Sequence, residues 1–370
     1  MQEIESAESL IQVLAQPALT QLAIQSLDLT PWEDQLLSKE ITECLFLGCT
    51  FSENLLHHIY RRNYIFPHLD VPFNPYPQSL YDRHSLYEYY NPRQPESYQH
   101  TPDKTIYDHF VKIGKEYGNI METLAQRLHD HSITDALQDF LAQYPEKKVV
   151  AVMGGHNLPR DSENYGKVVR LAKWLTEQGF LMVSGGGPGA MEATHVGAWL
   201  GGQSEETVMD AIRHLSRAPR YNDPDWLPTA FEVLARYPES PYHSVGIPTW
   251  GYGHEPPTPF ATHIAKYFAN SIREEGLLAI AKGGVVFAPG SAGTMQEIFQ
   301  DMAQNHYETF DYASPMIFLD TQYWPFDRPV YPMIELMKLR GNVNNLNMGI
   351  YDTTVEIIKH LESFQRPFSS

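Results

Sequence analysis

The sequence predicts an α/β protein, a doubly wound parallel sheet over residues 147–370 preceded by a mainly helical accessory region over 1–146. Three observations carry this reading. From Lys147 onward, short apolar runs rich in β-branched and aromatic residues alternate with helical patterns, as buried parallel strands alternate with their crossover helices. Two glycine-rich segments each follow such a run and open a helix, which is the Rossmann-like placement of a ligand loop. The composition, 42% hydrophobic and 19% charged over 370 residues, is globular, and the length suits two domains.

Taken in order, MQEIESAESL lacks the basic and apolar stretches of a secretory signal. No run approaches the roughly 18 apolar residues of a membrane span. The first region reads as helical stretches with one strand, 43–47, and then a helix capped by Ser52. No repeat of fixed period is visible in it. Residues 66–102 hold seven prolines and many tyrosines, the pattern of an irregular, aromatic-packed connection. Amphipathic helices follow over 105–143 and end at Tyr144-Pro145. In the second region the expected strands are 149–153, 180–184, 244–247, 285–288 and 316–319. The expected helices are 163–178, 190–200, 260–275 and 295–306. Residues 203–241 interrupt the alternation with a helix-like piece, 205–217, and a proline-rich stretch, an insertion in the domain.

Charge narrows the partners. With 45 acidic and 27 basic residues, the formal net charge is −18, which argues against nucleic acid and anionic membrane as partners. Residues 1–146 hold 21 acidic and 9 basic residues, and 147–370 hold 24 and 18. The second region can therefore still handle a small phosphate. Two cysteines, Cys44 and Cys49, make neither a disulfide framework nor a four-ligand zinc site, and read as buried thiols. His57, His58, His129 and His131 read as surface helix residues. No spacing suggests a metal, no cofactor is implied, and a cytoplasmic protein is expected.

In open α/β sheets, ligands bind outside the carboxyl ends of the strands. Ser184-Gly185-Gly186-Gly187-Pro188-Gly189-Ala190-Met191 stands at one such end, and Pro289-Gly290-Ser291-Ala292-Gly293-Thr294-Met295-Gln296-Glu297 at another. Glycines let backbone N–H groups approach an anion at a helix N-terminus. Two such loops point to a phosphate or nucleotide; a pair of tight turns is the plain alternative. Gly185-x-Gly187-x-x-Ala190 also fits the dinucleotide fingerprint. It follows the second strand, however, and the acidic pair Glu205-Glu206 falls at a helix start. There is no G-x-x-x-x-G-K-[ST] and no G-x-S-x-G.

Glu297 follows Thr294 by three residues, so both project from one helix face. The pair reads either as a capping box or as a carboxylate placed to act on the sugar of a bound phosphate. His263, Lys266, Asn270 and Arg273, spaced 3, 4 and 3, share one side of the expected 260–275 helix, opposite Ile264, Phe268 and Ile272. That stripe suits either a phosphorylated ligand or solvent. His254 and Glu255, in the stiff loop Gly251-Tyr252-Gly253-His254-Glu255-Pro256-Pro257, are candidates to touch a ligand at a third carboxyl end.

These motifs resemble the LONELY GUY (LOG)-type family. Gly185-Gly186-Gly187-Pro188-Gly189-Ala190-Met191 is similar to its GGGxxGxM signature. The segment from Pro289 to Glu297 is similar to PGGxGTxxE, with Ser291 in place of the second glycine. The family's opening C-G-S-S reads Gly154-Gly155-His156-Asn157 here, and its M-H-E-R-K context reads Asn270-Ser271-Ile272-Arg273-Glu274. The resemblance covers about residues 147–360. It implies hydrolysis of the N-glycosidic bond of nucleoside 5′-monophosphates such as AMP to free base and ribose 5-phosphate. The N-terminal region and the insertion are closer to the larger nucleotide 5′-monophosphate nucleosidases, and a homodimer or higher homo-oligomer is implied. Glu297 and Arg273 are the implied catalytic residues. Gly290, Ser291, Ala292, Gly293 and Thr294 would hold the 5′-phosphate, and Gly185, Gly186, Gly187, Gly189 and Met191 would line the site beside Asn270 and His254. A non-catalytic nucleotide sensor or carrier on the same fold is the alternative.

Overall fold

Six short strands run through the start of the chain in the computed structural model: β1 (Gln2–Ile4), β2 (Ala18–Thr20), β3 (Leu22–Gln25), β4 (Glu40–Thr42), β5 (Leu45–Leu47) and β6 (Tyr64–Phe66). The structure describes residues 1–115, 118–251 and 256–365. Two units result, 1–80 with 109–138 and 81–108 with 139–370. In the first, every strand pairing is parallel. Leu19 lies opposite Ile41 in β2–β4, and Ile24 opposite Phe46 in β3–β5, an offset of 22 residues in both pairs. Left-handed residues recur at the same interval, Gln21 and Glu43 at φ 55° and 57°, then Ser26 and Gly48 at 53° and 63°. The chain therefore winds as a parallel coil, whose turns range from 19 to 22 residues and so keep no fixed period in the sequence. Helices α1 (Ala7–Leu14), α2 (Glu33–Leu37) and α3 (Glu53–Ile59) lie between the strands of successive turns.

Of the six strands the sequence reading found only β5. Helix still outweighs strand over residues 1–146, because α4 (Arg83–Leu86), α5 (Pro102–Lys112) and α6 (Ile120–Leu141) follow. The coil's core is Leu10, Leu19, Ile24, Leu29, Ile41, Phe46 and Leu55, with the buried thiols of Cys44 and Cys49 among them. Ser52 Oγ accepts from Leu55 N at 3.1 Å and caps α3. His57, His58 and His131 are exposed. His129 is not a surface residue: it is fully buried, edge-on to Phe73 with ring centroids 5.7 Å apart. On a helix with polar residues all round, periodicity alone does not say which face is inside.

In the second unit, β7 (Val149–Met153), β8 (Leu181–Ser184), β9 (Ser244–Gly246), β10 (His263–Ile264), β11 (Gly284–Phe287), β12 (Pro315–Leu319) and β13 (Asn347–Tyr351) form one parallel sheet. Its order is β10-β9-β8-β7-β11-β12-β13. The helices are α7 (Glu163–Glu177), α8 (Ala190–Trp199), α9 (Glu205–Leu215), α10 (Trp226–Arg236), α11 (Asn270–Ile280), α12 (Ala292–His306), α13 (Val330–Leu339) and α14 (Thr354–Gln365). This is the α/β, Rossmann-like fold read from the sequence. The chain moves outward in one direction from β7 and in the other from β11, so the gap between those strands is the topological switch point.

The expected helix over 260–275 is corrected. His263 and Ile264 are strand β10, and α11 begins only at Asn270. Phe260, Ala261, Ile264, Ala265, Lys266, Tyr267, Phe268 and Ala269 are all buried. A segment buried on every side has no helical face to be periodic about, so the 3, 4, 3 spacing was coincidental. Lys266 is the clearest casualty: its ammonium pairs with the buried Asp103 carboxylate, which also accepts from Trp250 Nε1 at 3.0 Å.

The insertion belongs to the core. Val208, Ala211 and Leu215 of α9 and Ala230 and Val233 of α10 join the same apolar cluster as α7 and α8. Arg160 ties them in from 1% exposure. Its Nη2 and Nε meet Glu192 at 2.5 and 2.7 Å, while Nη1 donates to Trp226 O and Thr229 Oγ1 at 3.0 and 2.9 Å. Removing one partner of a buried ion pair leaves the other uncompensated. Arg160→Met is expected to destabilise the fold by about 3–5 kcal/mol in denaturant unfolding; a loss below about 1 kcal/mol would show that the insertion is held by apolar contact alone.

Candidate functional site

Four chain segments leave the carboxyl edge of the sheet around the switch point, and one cleft of about 450 Å³ lies among them. Gly154, Gly155 and His156 come from the end of β7, and Gly185, Gly187 and Met191 from β8 and α8. Pro248 and Thr249 follow β9, and Ser291, Ala292, Gly293, Thr294, Gln296 and Glu297 follow β11. Asn270, Arg273 and Glu274 reach in from α11. Backbone bonds knit the loops together: Gly155 N donates to Pro289 O at 3.0 Å, and Ala190 N to Gly155 O at 3.2 Å.

Helix α12 starts at Ala292 with Ser291 as its N-cap, and no side chain caps it. Its first intrahelical bond runs from Met295 N to Ser291 O at 3.0 Å. The helix therefore supplies no partner for the N–H groups of Ala292, Gly293 and Thr294, which face the cleft at the positive end of the dipole. The capping-box reading is overturned: Thr294 is the third residue of the helix, not its cap. Ser291 sits at φ −110°, a conformation open to any residue, so serine in place of glycine costs no backbone strain. Gly290 does not line the cleft, but a Cβ there would lie 2.1 Å from Thr294 Oγ1.

One guanidinium organises the rest. Arg273 Nε donates to Ile247 O at 2.8 Å, and Nη1 lies 3.7 Å from Glu297 Oε1. The group passes directly over Gly185, where a Cβ would stand 2.1 Å from Nη2. Glu297 is 9% exposed. Burial pushes its carboxyl up to about 7; the charge of Arg273 opposes the shift and that of Glu274 adds to it. One turn on, Asp301 is fully buried and pushed up to about 8 by burial. Behind the glycine loop, His195 Nε2 meets Ser184 Oγ at 2.8 Å and Nδ1 meets Ser244 Oγ at 2.9 Å. Burial lowers the His195 ring from 6.5 to about 3, so it stays neutral.

The structure thus brings together Glu297, Arg273, Asn270, Gly185, Gly187, Met191, Ser291, Ala292, Gly293 and Thr294. Gly186 is buried beneath the loop, Gly189 lines a neighbouring cleft, and His254 lies outside the described residues. His263 and Lys266 point elsewhere. Sequence reading missed Gly154, Gly155, His156, Pro248, Thr249, Glu274 and Gln296. The signal for the first three was present: two glycines and a histidine follow the strand at the switch point. Among the described residues, no group of three or more His, Cys, Asp or Glu side chains is placed to hold a metal ion. No described helix is long and apolar enough to cross a membrane.

Fold and cleft together define an α/β protein of the Rossmann-like class with its candidate site at the switch point. No protein-family model and no curated protein matches the chain. Among solved structures it is similar to the molybdenum cofactor binding protein of the phototrophic bacterium Rippkaea orientalis, at 12% identity and a TM-score of 0.36, covering 59% of this chain and 97% of that one. It is also similar to the structural genomics target TM1055, at 16% identity and a TM-score of 0.33, covering 58% and 98%.

Two predictions follow the geometry. Gly185→Ala is expected to destabilise the protein by displacing Arg273, and the cost should vanish once Arg273 is removed. In denaturant unfolding, the Gly185→Ala/Arg273→Ala double variant should then match Arg273→Ala within about 0.5 kcal/mol; simple additivity would sink the coupling. His195 binds a proton in the unfolded chain below 6.5 but in the folded one only near 3. Stability is therefore full above pH 6.5 and falls below it by about 1.4 kcal/mol per pH unit from this group. His195→Asn should flatten that limb relative to wild type, and parallel profiles would rule the linkage out.

Proposed function

We propose that the protein is a nucleotide 5′-monophosphate nucleosidase, hydrolysing the N-glycosidic bond to free base and ribose 5-phosphate. The observation that carries this reading is the Arg273–Glu297 pair held beside the uncapped N-terminus of α12. An anion and a sugar attached to it would meet a phosphate cradle and a carboxylate at once. The resemblance of both glycine motifs to the LOG-type family supports the same chemistry. In this reading residues 147–370 are the nucleotide-binding domain, and the protein works as a cytoplasmic homo-oligomer.

The chain's own groups divide the work. The N–H groups of Ala292, Gly293 and Thr294, with the Thr294 hydroxyl, hold the 5′-phosphate. That anchor sets C1′ of the ribose near Glu297. As the bond to the base lengthens, positive charge builds on the sugar, and an ionised carboxylate stabilises it. Glu297 also orients a water and takes its proton while the hydroxyl joins C1′. The proton that Glu297 took from the water then passes to the departing base nitrogen, directly or through solvent, which completes the hydrolysis and restores the carboxylate. Arg273, braced on Ile247 O, keeps Glu297 in line and favours its ionised form.

Incubation with AMP, GMP, CMP, UMP and IMP tests this by release of free base and ribose 5-phosphate. Glu297→Gln is expected to lower kcat by about 10²–10⁴-fold with nucleotide binding retained. Because Glu297 must be ionised and its carboxyl lies at about 7, activity should climb as pH rises through 7 and then level off. Measurable nucleotide binding without turnover of any of the five would instead make the protein a nucleotide sensor or carrier.

A further inference from the structure

The cleft does not end at the phosphate cradle. His156 lines it and also lines a second cleft of about 290 Å³, formed by Asn157, Leu158, Pro159 and Gly189 with the insertion's Pro219, Arg220, Tyr221 and Asn222. Gly189 N-caps α8, and no side chain caps that helix either. The two linings divide the groups between the clefts. Asn270, Arg273 and Glu274 of α11 line only the first cleft, on the Glu297 side. Ala292, Gly293, Thr294 and Gly155 also line only the first cleft, with Gly155 packed on Gly290 just before α12; His156 lines both clefts, and the insertion's residues line only the second. A nucleotide whose C1′ sits by Glu297 and whose phosphate sits at α12 therefore turns its base toward α11. Its 5′ end then points at the second cleft.

That cleft has the chemistry of an anion receiver. Among the described residues Arg220 makes no ion pair: its backbone N–H donates to Asp223 Oδ2 at 2.7 Å and its carbonyl accepts from Asp223 N at 2.9 Å. Arg160, the other guanidinium in the wall, is committed to Glu192. Tyr221 and His156 stand edge-on, ring centroids 5.5 Å apart, and His156 lines both clefts. Asp161, Asp223 and Asp225 are not in the second cleft's wall; they line an adjoining hollow that shares Pro159, Pro219 and Arg220 with it.

We propose that the second cleft receives the group attached beyond the 5′-phosphate, so that the site binds nucleoside 5′-diphosphates as well as monophosphates, with Arg220 reading the second phosphate. This rests on the nucleotide reading of the first cleft. Titration calorimetry of the full chain carrying Glu297→Gln would compare AMP with ADP, alongside AMP hydrolysis by the wild-type protein. ADP is expected to bind about tenfold more tightly than AMP, the yield of one added charge-assisted contact. Arg220→Ala should erase that difference and leave AMP affinity within about twofold. ADP binding no tighter than AMP, or Arg220→Ala weakening both alike, would overturn the proposal. So would Tyr221→Ala reordering the affinities for AMP, GMP and CMP, since the base would then occupy the second cleft. If AMP is hydrolysed but ADP shows no gain, only the second cleft is misread. If AMP neither binds nor reacts, the nucleotide reading itself has failed.

Discussion

The candidate site depends on letting one guanidinium lie across the edge of a parallel sheet. Arg273 starts on α11, crosses the end of β8, takes a carbonyl from the chain leaving β9 and faces a carboxylate on α12. The path is open only because residue 185 has no side chain. The same economy recurs nearby, where Gly290 leaves room for Thr294 and Gly155 lies 3.2 Å from Gly290 Cα by its own Cβ position. Glycines in these loops are therefore more than flexible turns: their missing atoms are the space in which the functional side chains stand. Close packing at a switch point converts three loop sequences into one surface.

Electrostatics complete the arrangement by keeping charge scarce. Glu297 is buried enough that its carboxyl titrates near neutrality even with Arg273 at hand. Asp301 and His195, both fully buried around the site, are held neutral by the cost of desolvation. The cleft thus carries one guanidinium, Arg273, and two carboxylates, the buried Glu297 and Glu274 beside it. In such surroundings a small change in ligand charge is felt strongly.

Much of the sheet was legible because its strands are short, apolar and buried on both faces. The runs at β7, β8, β9, β11 and β12 could be read for that reason. β10 is only two residues long, and β13, Asn-Met-Gly-Ile-Tyr, is half-exposed and carries a glycine, so neither gave a strand signal. The coil was hidden differently. Leu19 and Ile41, Ile24 and Phe46, Leu29 and Phe51 are equivalent in character but not identity, and the offset drifts from 20 through 22 to 19. The motif residues of the cleft could be named from local sequence, because each loop carries its own glycines. The reach of Arg273 over Gly185 could not, since it joins residues far apart in the chain through an atom that is missing.

The parallel coil of the first unit has a consequence for how this protein can change. Each strand of the coil pairs in parallel with strands of the adjacent turns, and left-handed corners recur 22 positions apart at Gln21 and Glu43 and at Ser26 and Gly48. Its extent is thus governed by copying rather than by closure of a single core. Duplicating or deleting one 22-residue turn would shift the end of the stack by one strand spacing, about 4.8 Å, without repacking its neighbours. The region is a ruler that evolution or an engineer can lengthen in fixed increments.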